Sequence, residues 1–481
     1  MSENGRATGS DRLVKVERTL LSHLSAAPES MPLSAQWWLR YALCLGKLSH
    51  LSTPGGAEIE AGHVLSEFAG WLADQTAAPA LLKKGPDFNR LTALVPHIMA
   101  HVDRARSAVL AHSAGQLDPV VLDAELCQKS LVLVLGGGGG SGFAHLGLFS
   151  LLKDLEITPG LVSGSSMGAL LGLFRCLRKE WDPTTTFIAV PKRFDRRYIF
   201  RPFDGQIKYG FPGAFKLQLD EMAGHTLDLV CGKPCVTFAD LEIPLQVVVT
   251  GIRGGMRAAL EQDILGKSPY TTLTGLSLRG RLGRLVKLFR TILENPGLTE
   301  ELVFSRQMDG GEIDVVDAVG FSCAVPGLFC YDLVNRDPSP TQKALDELFK
   351  TLDLWGVADG GVINNLPARV ALDGVDSGLI NTRNVYVYAL DPFQPRLSSP
   401  LFLPMQQLAQ FSTTANLPYV DHYRAYQSPP SPIEFVLTWN RAREVADEIR
   451  NELEKDSELL RLVFQRLPSY PELMTIGEGE T

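Results

Sequence analysis

The chain has 481 residues, 45% of them hydrophobic and 21% charged, a length for two or three domains or one enlarged α/β domain and a composition ordinary for a folded protein. A net charge of −8 argues against a general nucleic-acid binder. The seven cysteines are odd in number and thinly scattered, which is no disulfide framework and points to a reducing compartment.

Residues 1–10 read as disordered and lack the apolar core of a secretory leader. No run in the sequence approaches the roughly 20 apolar residues of a membrane span. The protein is therefore expected in the cytoplasm, with any membrane contact peripheral. From 11 to 128 the apolar residues recur at helical spacing: Leu13, Val16, Leu20, Leu21 and Leu24, then Trp38, Tyr41, Leu45 and Leu48, then Val64, Phe68, Trp71 and Leu72. Pro32, Pro54, Pro79 and Pro86 separate the pieces, so an all-helical N-terminal region is expected. Beyond it, candidate strands at 131–135, 161–163, 245–250, 354–358 and 385–390 alternate with helical patterns, which predicts a mostly parallel sheet covered by helices. Residues 181–236 mix Pro, Gly and aromatics and read as capping loops. A charged helix is expected over 441–467, with Val445, Ile449, Leu453, Leu460 and Phe464 along one edge. The tail beyond Pro468 reads as loose.

Two glycine-bearing turns carry the chemistry. The strand Leu131–Leu135 runs into Gly136-Gly-Gly-Gly-Gly-Ser-Gly142 and then a helix. Gly137, Gly139 and Gly142 satisfy the G-x-G-x-x-G pattern of a nucleotide- or phosphate-binding loop. That reading wants an acidic residue at the end of the next strand, where Gly164-Ser165-Ser166 stands instead. The other reading is an oxyanion hole, in which side-chain-free residues present bare N–H groups to a developing negative oxygen. The second turn, Gly164-Ser-Ser166-Met-Gly168, is a G-x-S-x-G elbow between a strand and a helix, which lifts the Ser166 hydroxyl clear of the sheet. A serine nucleophile needs a base. Asp391 with His422 would complete a triad in hydrolase order, since His422 is the sole histidine beyond residue 225. Alternatively Asp359 is delivered by a short apolar strand into the turn Asp359-Gly360-Gly361, where it can approach a second loop closely. Cys231 and Cys235 lack a second ligand pair, so neither metal nor cofactor is expected.

Together these stretches resemble the patatin-like phospholipases. The resemblance rests on Gly137-Gly-Gly-Gly-Ser-Gly142-Phe-Ala-His145-Leu-Gly147, on Gly164-Ser-Ser166-Met-Gly168, on Phe321-Ser-Cys-Ala324-Val-Pro326, and on Asp359-Gly-Gly361 with Asn365 and Pro367. It implies a three-layer α/β/α fold with a mostly parallel central sheet, behind the helical N-terminal region. The resemblance covers residues 129–395 as a catalytic domain, around which the patterning of the rest of the chain places a disordered 1–10, a helical region 11–128, a C-terminal helical extension 396–468 and a loose tail 469–481. It also implies a Ser166–Asp359 dyad without histidine, with His145 structural. The oxyanion donors would be the main chain of Gly137, Gly138, Gly139 and Gly140, with Met167 N–H. The substrate would be a lipid acyl ester. Ser141 stands where the family usually carries an arginine, which leaves the oxyanion to main-chain donors.

Two segments suit a lipid surface. Residues 264–293 hold six basic and no acidic residues, with Leu278, Leu282, Leu285, Phe289 and Ile292 at helical spacing. Residues 192–201 interleave basic and aromatic side chains. A protein activator or partner is a further expectation for the N-terminal region.

Overall fold

A computed structural model describes residues 9–53, 56, 58–182, 200–202, 207–219, 223–224, 227, 230–233, 235–260, 287–292, 294–333, 340–395, 403–426 and 439–479. Residues 1–8, most of the expected disordered start, lie outside them. Two units separate by their internal contacts: one of residues 1–131, 380–386 and 455–481, the other of 132–379 and 387–454.

In the first unit the expected helices form as α1 (Gly9–Ala26), α2 (Leu33–Lys47), α3 (Gly62–Ala80), α4 (Phe88–His112) and α5 (Pro119–Cys127). Their apolar edges meet in one core that includes Leu13, Val16, Leu20, Trp38, Tyr41, Leu72 and Ile98. The region is not wholly helical. Strands β1 (His50–Ser52) and β2 (Glu58–Glu60) form a small antiparallel hairpin, with Leu51 opposite Ile59 and both buried. Three-residue strands are too short to print a period of two on the sequence.

A buried acid ties this unit together. Glu17 is 6% exposed and pairs with Lys47 and, at 3.2 Å, with Lys129. Burial alone would raise its carboxyl, but Lys129 and Lys47 draw it down to about 2. The stability it contributes is therefore complete above its ordinary value of 4.5 and is lost as pH falls toward 2. Glu17→Ala leaves two cations facing each other in a buried site and should cost about 3–5 kcal/mol, read as earlier thermal unfolding and proteolysis of this unit.

The second unit is built on a sheet in the order β10-β7-β4-β3-β11-β12, with β8 on the far edge of β7. Its strands are β3 (Ser130–Leu135), β4 (Pro159–Ser165), β7 (Leu245–Arg253), β8 (Thr299–Phe304), β10 (Leu354–Asp359), β11 (Val385–Asp391) and β12 (His422–Ala425). A separate three-stranded sheet joins β5 (Phe200–Pro202), β6 (Gly213–Leu217) and β9 (Gly327–Cys330). β4 runs parallel to β7, and β11 parallel to β12, while β8 and β10 oppose β7. Helices cover the mostly parallel sheet, among them α6 (Ala144–Asp154), α7 (Met167–Cys176), α8 (Val315–Ser322), α9 (Leu403–Asn416) and α10 (Trp439–Leu453).

One edge of β7 is shared by two strands, and this decides where the chemistry lies. β4 pairs with its first half, ending with Ser165 opposite Val248. β10 comes from the other direction along the second half, ending with Asp359 opposite Val249. Two segments far apart in sequence thus run toward each other and stop at adjacent residues of a third strand.

The C-terminal part departs from the sequence expectation in three ways. Residues 396–468 are not wholly helical, because β12 adds to the sheet beside β11. The long charged helix breaks at Glu454–Asp456 into α10 and α11 (Ser457–Phe464), and its apolar edge is divided accordingly. Val445, Ile449 and Leu453 lie in the second unit, whereas Leu460 lies in the first. The tail is not loose: α12 (Tyr470–Gly479) buries Leu473 in the helical core, and Ser469 and Glu472 cap its start, with Ser469 N–H and Oγ both donating to Glu472 at 2.7 Å.

Of the basic segment 264–293, residues 264–286 and 293 lie outside the described residues. The helical residues 287–292 turn Leu288, Phe289 and Ile292 inward against Phe211, Ile252 and Met256. Of the segment 192–201, only Phe200 and Arg201, in β5, are described. No helix among the described residues is long and apolar enough to cross a membrane.

Candidate active site

At the end of β4 the backbone turns through Ser166 at φ +53°, ψ −125°, and α7 begins at Met167. A side chain bearing Cβ rarely adopts this conformation, and holding it costs on the order of 1–3 kcal/mol. The turn is closed by contact distance. A Cβ on Gly164 would lie 2.7 Å from Ala169 N and from the Gly168 backbone, and one on Gly168 would lie 2.1 Å from Leu135 O. Both flanking glycines of the pentapeptide are therefore required by close backbone approach.

Ser166 Oγ donates to Asp359 Oδ2 at 2.7 Å, and the second carboxylate oxygen accepts Gly361 N–H at 2.7 Å. Asp359 is 5% exposed and Ser166 9%. Burial raises the Asp359 carboxyl from 3.8 to about 7, although the hydrogen bonds from Ser166 and Gly361 oppose the shift. A carboxylate poised near neutrality beside a hydroxyl is a proton acceptor matched to physiological pH.

The glycine loop lies against this pair. Gly137 has no room for a side chain, since a Cβ there would lie 2.9 Å from Ser166 Cβ and 2.8 Å from Asn365 Oδ1. Its N–H donates to Asn365 O at 3.3 Å, so Gly137 is a point of close approach and not the bare donor expected from the sequence. Gly138 and Gly139 take positive φ, +153° and +57°. Among the described residues no acceptor bonds the N–H of Gly138, Gly139, Gly140 or Met167. Ser141 is folded into the loop, its Oγ donating to Gly138 O at 2.6 Å. His145 is fully buried and donates from Nε2 to Gly136 O at 2.8 Å. Burial lowers its pKa to about 4, partly offset by that bond, so the ring is neutral and serves to pin the loop.

The structure does not assemble Asp391 and His422 into a triad with Ser166. Asp391 turns its carboxylate to Phe393 N–H at 2.9 Å, to the Tyr423 hydroxyl at 3.0 Å and to Gln394. His422 pairs with Tyr388 across β11 and β12 and stacks on its ring.

Thr250 and Ser412 carried no sequence signal of a role, and Ala324 and Asn365 entered only through the resemblance, without their partners. Thr250 Oγ1 donates to Asp359 O at 2.7 Å, Asp359 N–H donates to Ala324 O at 2.9 Å, and Ser412 Oγ on α9 accepts Asn365 N–H at 3.0 Å. Each bond joins segments remote in sequence, which no local pattern announces.

A family profile described as patatin-like phospholipase matches residues 133–372. Lysophospholipase nte1 of Neurospora crassa is 47% identical over 47 residues, 10% of this chain and 3% of that protein. Neuropathy target esterase sws of Drosophila melanogaster is 43% identical over 60 residues, 12% of this chain and 4% of that protein. The matched stretches are thus a small part of these relatives. Among solved structures, VipD from Legionella pneumophila aligns over 69% of this chain and 67% of its own, at 14% identity and a TM-score of 0.28, too low to argue a shared fold.

Proposed function

Because the chain belongs to the patatin-like phospholipase family, we propose that it is a serine lipid acyl hydrolase working through Ser166 and Asp359. The observation that supports this reading most directly is the 2.7 Å hydrogen bond from the elbow hydroxyl to a buried carboxylate near neutrality. Asp359 takes the Ser166 proton as Oγ attacks the ester carbonyl. The tetrahedral oxygen is held by the N–H groups of Gly138, Gly139, Gly140 and Met167, at the start of a helix whose dipole favours negative charge. Asp359 returns the proton to the leaving alcohol, leaving the acyl group on Ser166. A water then gives a proton to Asp359 as its oxygen attacks the acyl carbonyl, and Asp359 passes that proton to Ser166 Oγ as the ester bond to Ser166 breaks and the fatty acid leaves.

The name of the Neurospora crassa relative directs the substrate proposal to lysophospholipid, with phospholipid and triacylglycerol as comparisons. The activator proposed for the helical unit, and the lipid contact proposed for 192–201 and for the part of 264–293 before residue 287, rest on sequence alone; Phe289 and Ile292, expected on the same lipid-facing edge, are instead buried in the core. The test is ester hydrolysis by wild type, Ser166→Ala and His422→Ala on these three lipids, with fluorophosphonate labelling in parallel. Only Ser166→Ala should lose both turnover and label. Label on a different residue, or loss of turnover in His422→Ala, would overturn the dyad. Binding of NAD or ATP with no label would favour the nucleotide reading of the glycine loop.

The pH dependence follows from the same carboxyl. Asp359 accepts a proton only when ionised, so kcat/KM on a soluble ester should rise with pH and reach half its plateau at about 7. A flat profile between pH 5 and 9 would contradict it.

A further inference from the structure

The hydroxyl of Ser322, at the end of α8, is built into the elbow from behind. Ser322 Oγ accepts the backbone N–H of Ser166 at 2.9 Å and donates to Val248 O at 2.6 Å. The residue is fully buried. One hydroxyl thus joins the turning residue to the point on β7 where β4 ends. Two positions later, Ala324 O accepts the N–H of Asp359. The short segment 322–324 therefore grips the main chain of both members of the Ser166–Asp359 pair, one on each side of the junction between Val248 and Val249.

We propose that Ser322 is a positioning residue that fixes the Ser166 backbone in its positive-φ conformation and so sets the reach of its hydroxyl to Asp359. The proposal rests on the reading of Ser166 as the nucleophile. Three features support it. The conformation at Ser166 is one that the residue does not adopt unaided. Ser166 N–H points to a buried hydroxyl and not to the glycine loop, so it is taken out of the set of oxyanion donors and given a purely structural bond. Finally, Ser322 Oγ uses its single proton on Val248 O, which leaves its lone pairs directed to Ser166 and fixes which way the bond runs. Removing the hydroxyl would orphan a buried donor and a buried acceptor together, and the elbow is the part free to relax. Misplacing a reacting group by about 1 Å typically costs about 10²-fold in rate.

The test is the rate of fluorophosphonate labelling at saturating reagent, with kcat and KM on a soluble ester, for wild type, Ser322→Ala, Ser322→Cys and Ser166→Ala. Ser322→Ala should lower kcat and the limiting labelling rate about 10–100-fold, with KM and the half-saturating reagent concentration within about twofold of wild type. Ser322→Cys, which keeps a weak donor and acceptor of similar size, should fall between the two. Thr76→Ala, which removes a buried hydroxyl bonded to Leu72 O in α3, serves as a control that loses stability but labels at the wild-type rate. Wild-type labelling by Ser322→Ala or by Ser322→Cys would overturn the positioning role. So would a loss no greater than the unfolded fraction, measured against Thr76→Ala. If Ser322→Ala does not fold, the Cys variant alone decides. A wild-type protein that takes no label, or takes it elsewhere than Ser166, would instead refute the nucleophile reading itself.

Discussion

Asp359→Asn is expected to lower ester hydrolysis by about 10³-fold or more while making the protein harder to unfold above pH 7. The loss of rate follows from removing the proton acceptor 2.7 Å from Ser166 Oγ. The gain in stability follows from the sign of the carboxyl's shift. In the fold it titrates at about 7, against an ordinary 3.8, because burial disfavours the charge. The folded protein therefore holds a proton that the unfolded chain releases, and stability falls as pH rises from about 4 through 7. Above that range the ionised carboxylate costs on the order of 2–4 kcal/mol. The amide is neutral throughout, can still accept from Gly361 N–H, and can donate to Ser166 Oγ. Melting curves of the two proteins should coincide below pH 4 and separate progressively toward pH 8, with the variant higher. Equal melting at pH 8 would mean that the carboxyl is not strained by its site, and the proposed pH–rate midpoint would fall with it.

Gly168→Ala should be the most damaging small change in the elbow, costing about 3 kcal/mol or more and cutting activity at least 10²-fold. The added Cβ would lie 2.1 Å from Leu135 O and 2.8 Å from Gly136 O, both main-chain atoms at the end of β3. No side chain can swing aside to relieve that contact. α7 must move off the sheet, taking Met167 N–H and Ser166 with it. Gly172, one turn further along α7, provides the comparison. A Cβ there would lie 3.2–3.5 Å from the side-chain tips of Val162, Leu245 and Leu135. These can give way, and alanine favours the helix by roughly 1 kcal/mol over glycine. Gly172→Ala should therefore leave melting temperature and kcat/KM near wild type. Similar damage from both substitutions would show that helix packing in general, and not the approach of α7 to β3, limits this site.

What could be read in the sequence was local. The pentapeptide at Ser166, the glycine run from Gly136 and the Asp359-Gly-Gly361 turn each demand a backbone conformation or a closeness that few residues allow, so the letters announce them. The long helices were legible because their apolar edges repeat over several turns. The hairpin β1–β2, the edge strand β12 and the break at Glu454–Asp456 were not, because each is short and stabilised by what it packs on. Gly137 shows the limit within a single motif. Its lack of a side chain was evident, but that its amide would go to Asn365 O depends on a turn more than two hundred residues away.

The amino-acid sequence by itself determined which residues can turn sharply, which can be approached closely and which carry a proton to move. Only the tertiary structure decided that β4 and β10 meet end to end on one edge of β7, which brings Ser166 to Asp359 and leaves Asp391 and His422 elsewhere. Turn chemistry is settled by sterics within a few bonds. Strand order and the bonds of Ser322 are settled by which distant segments bury and pair together, and no short stretch of chain contains that information.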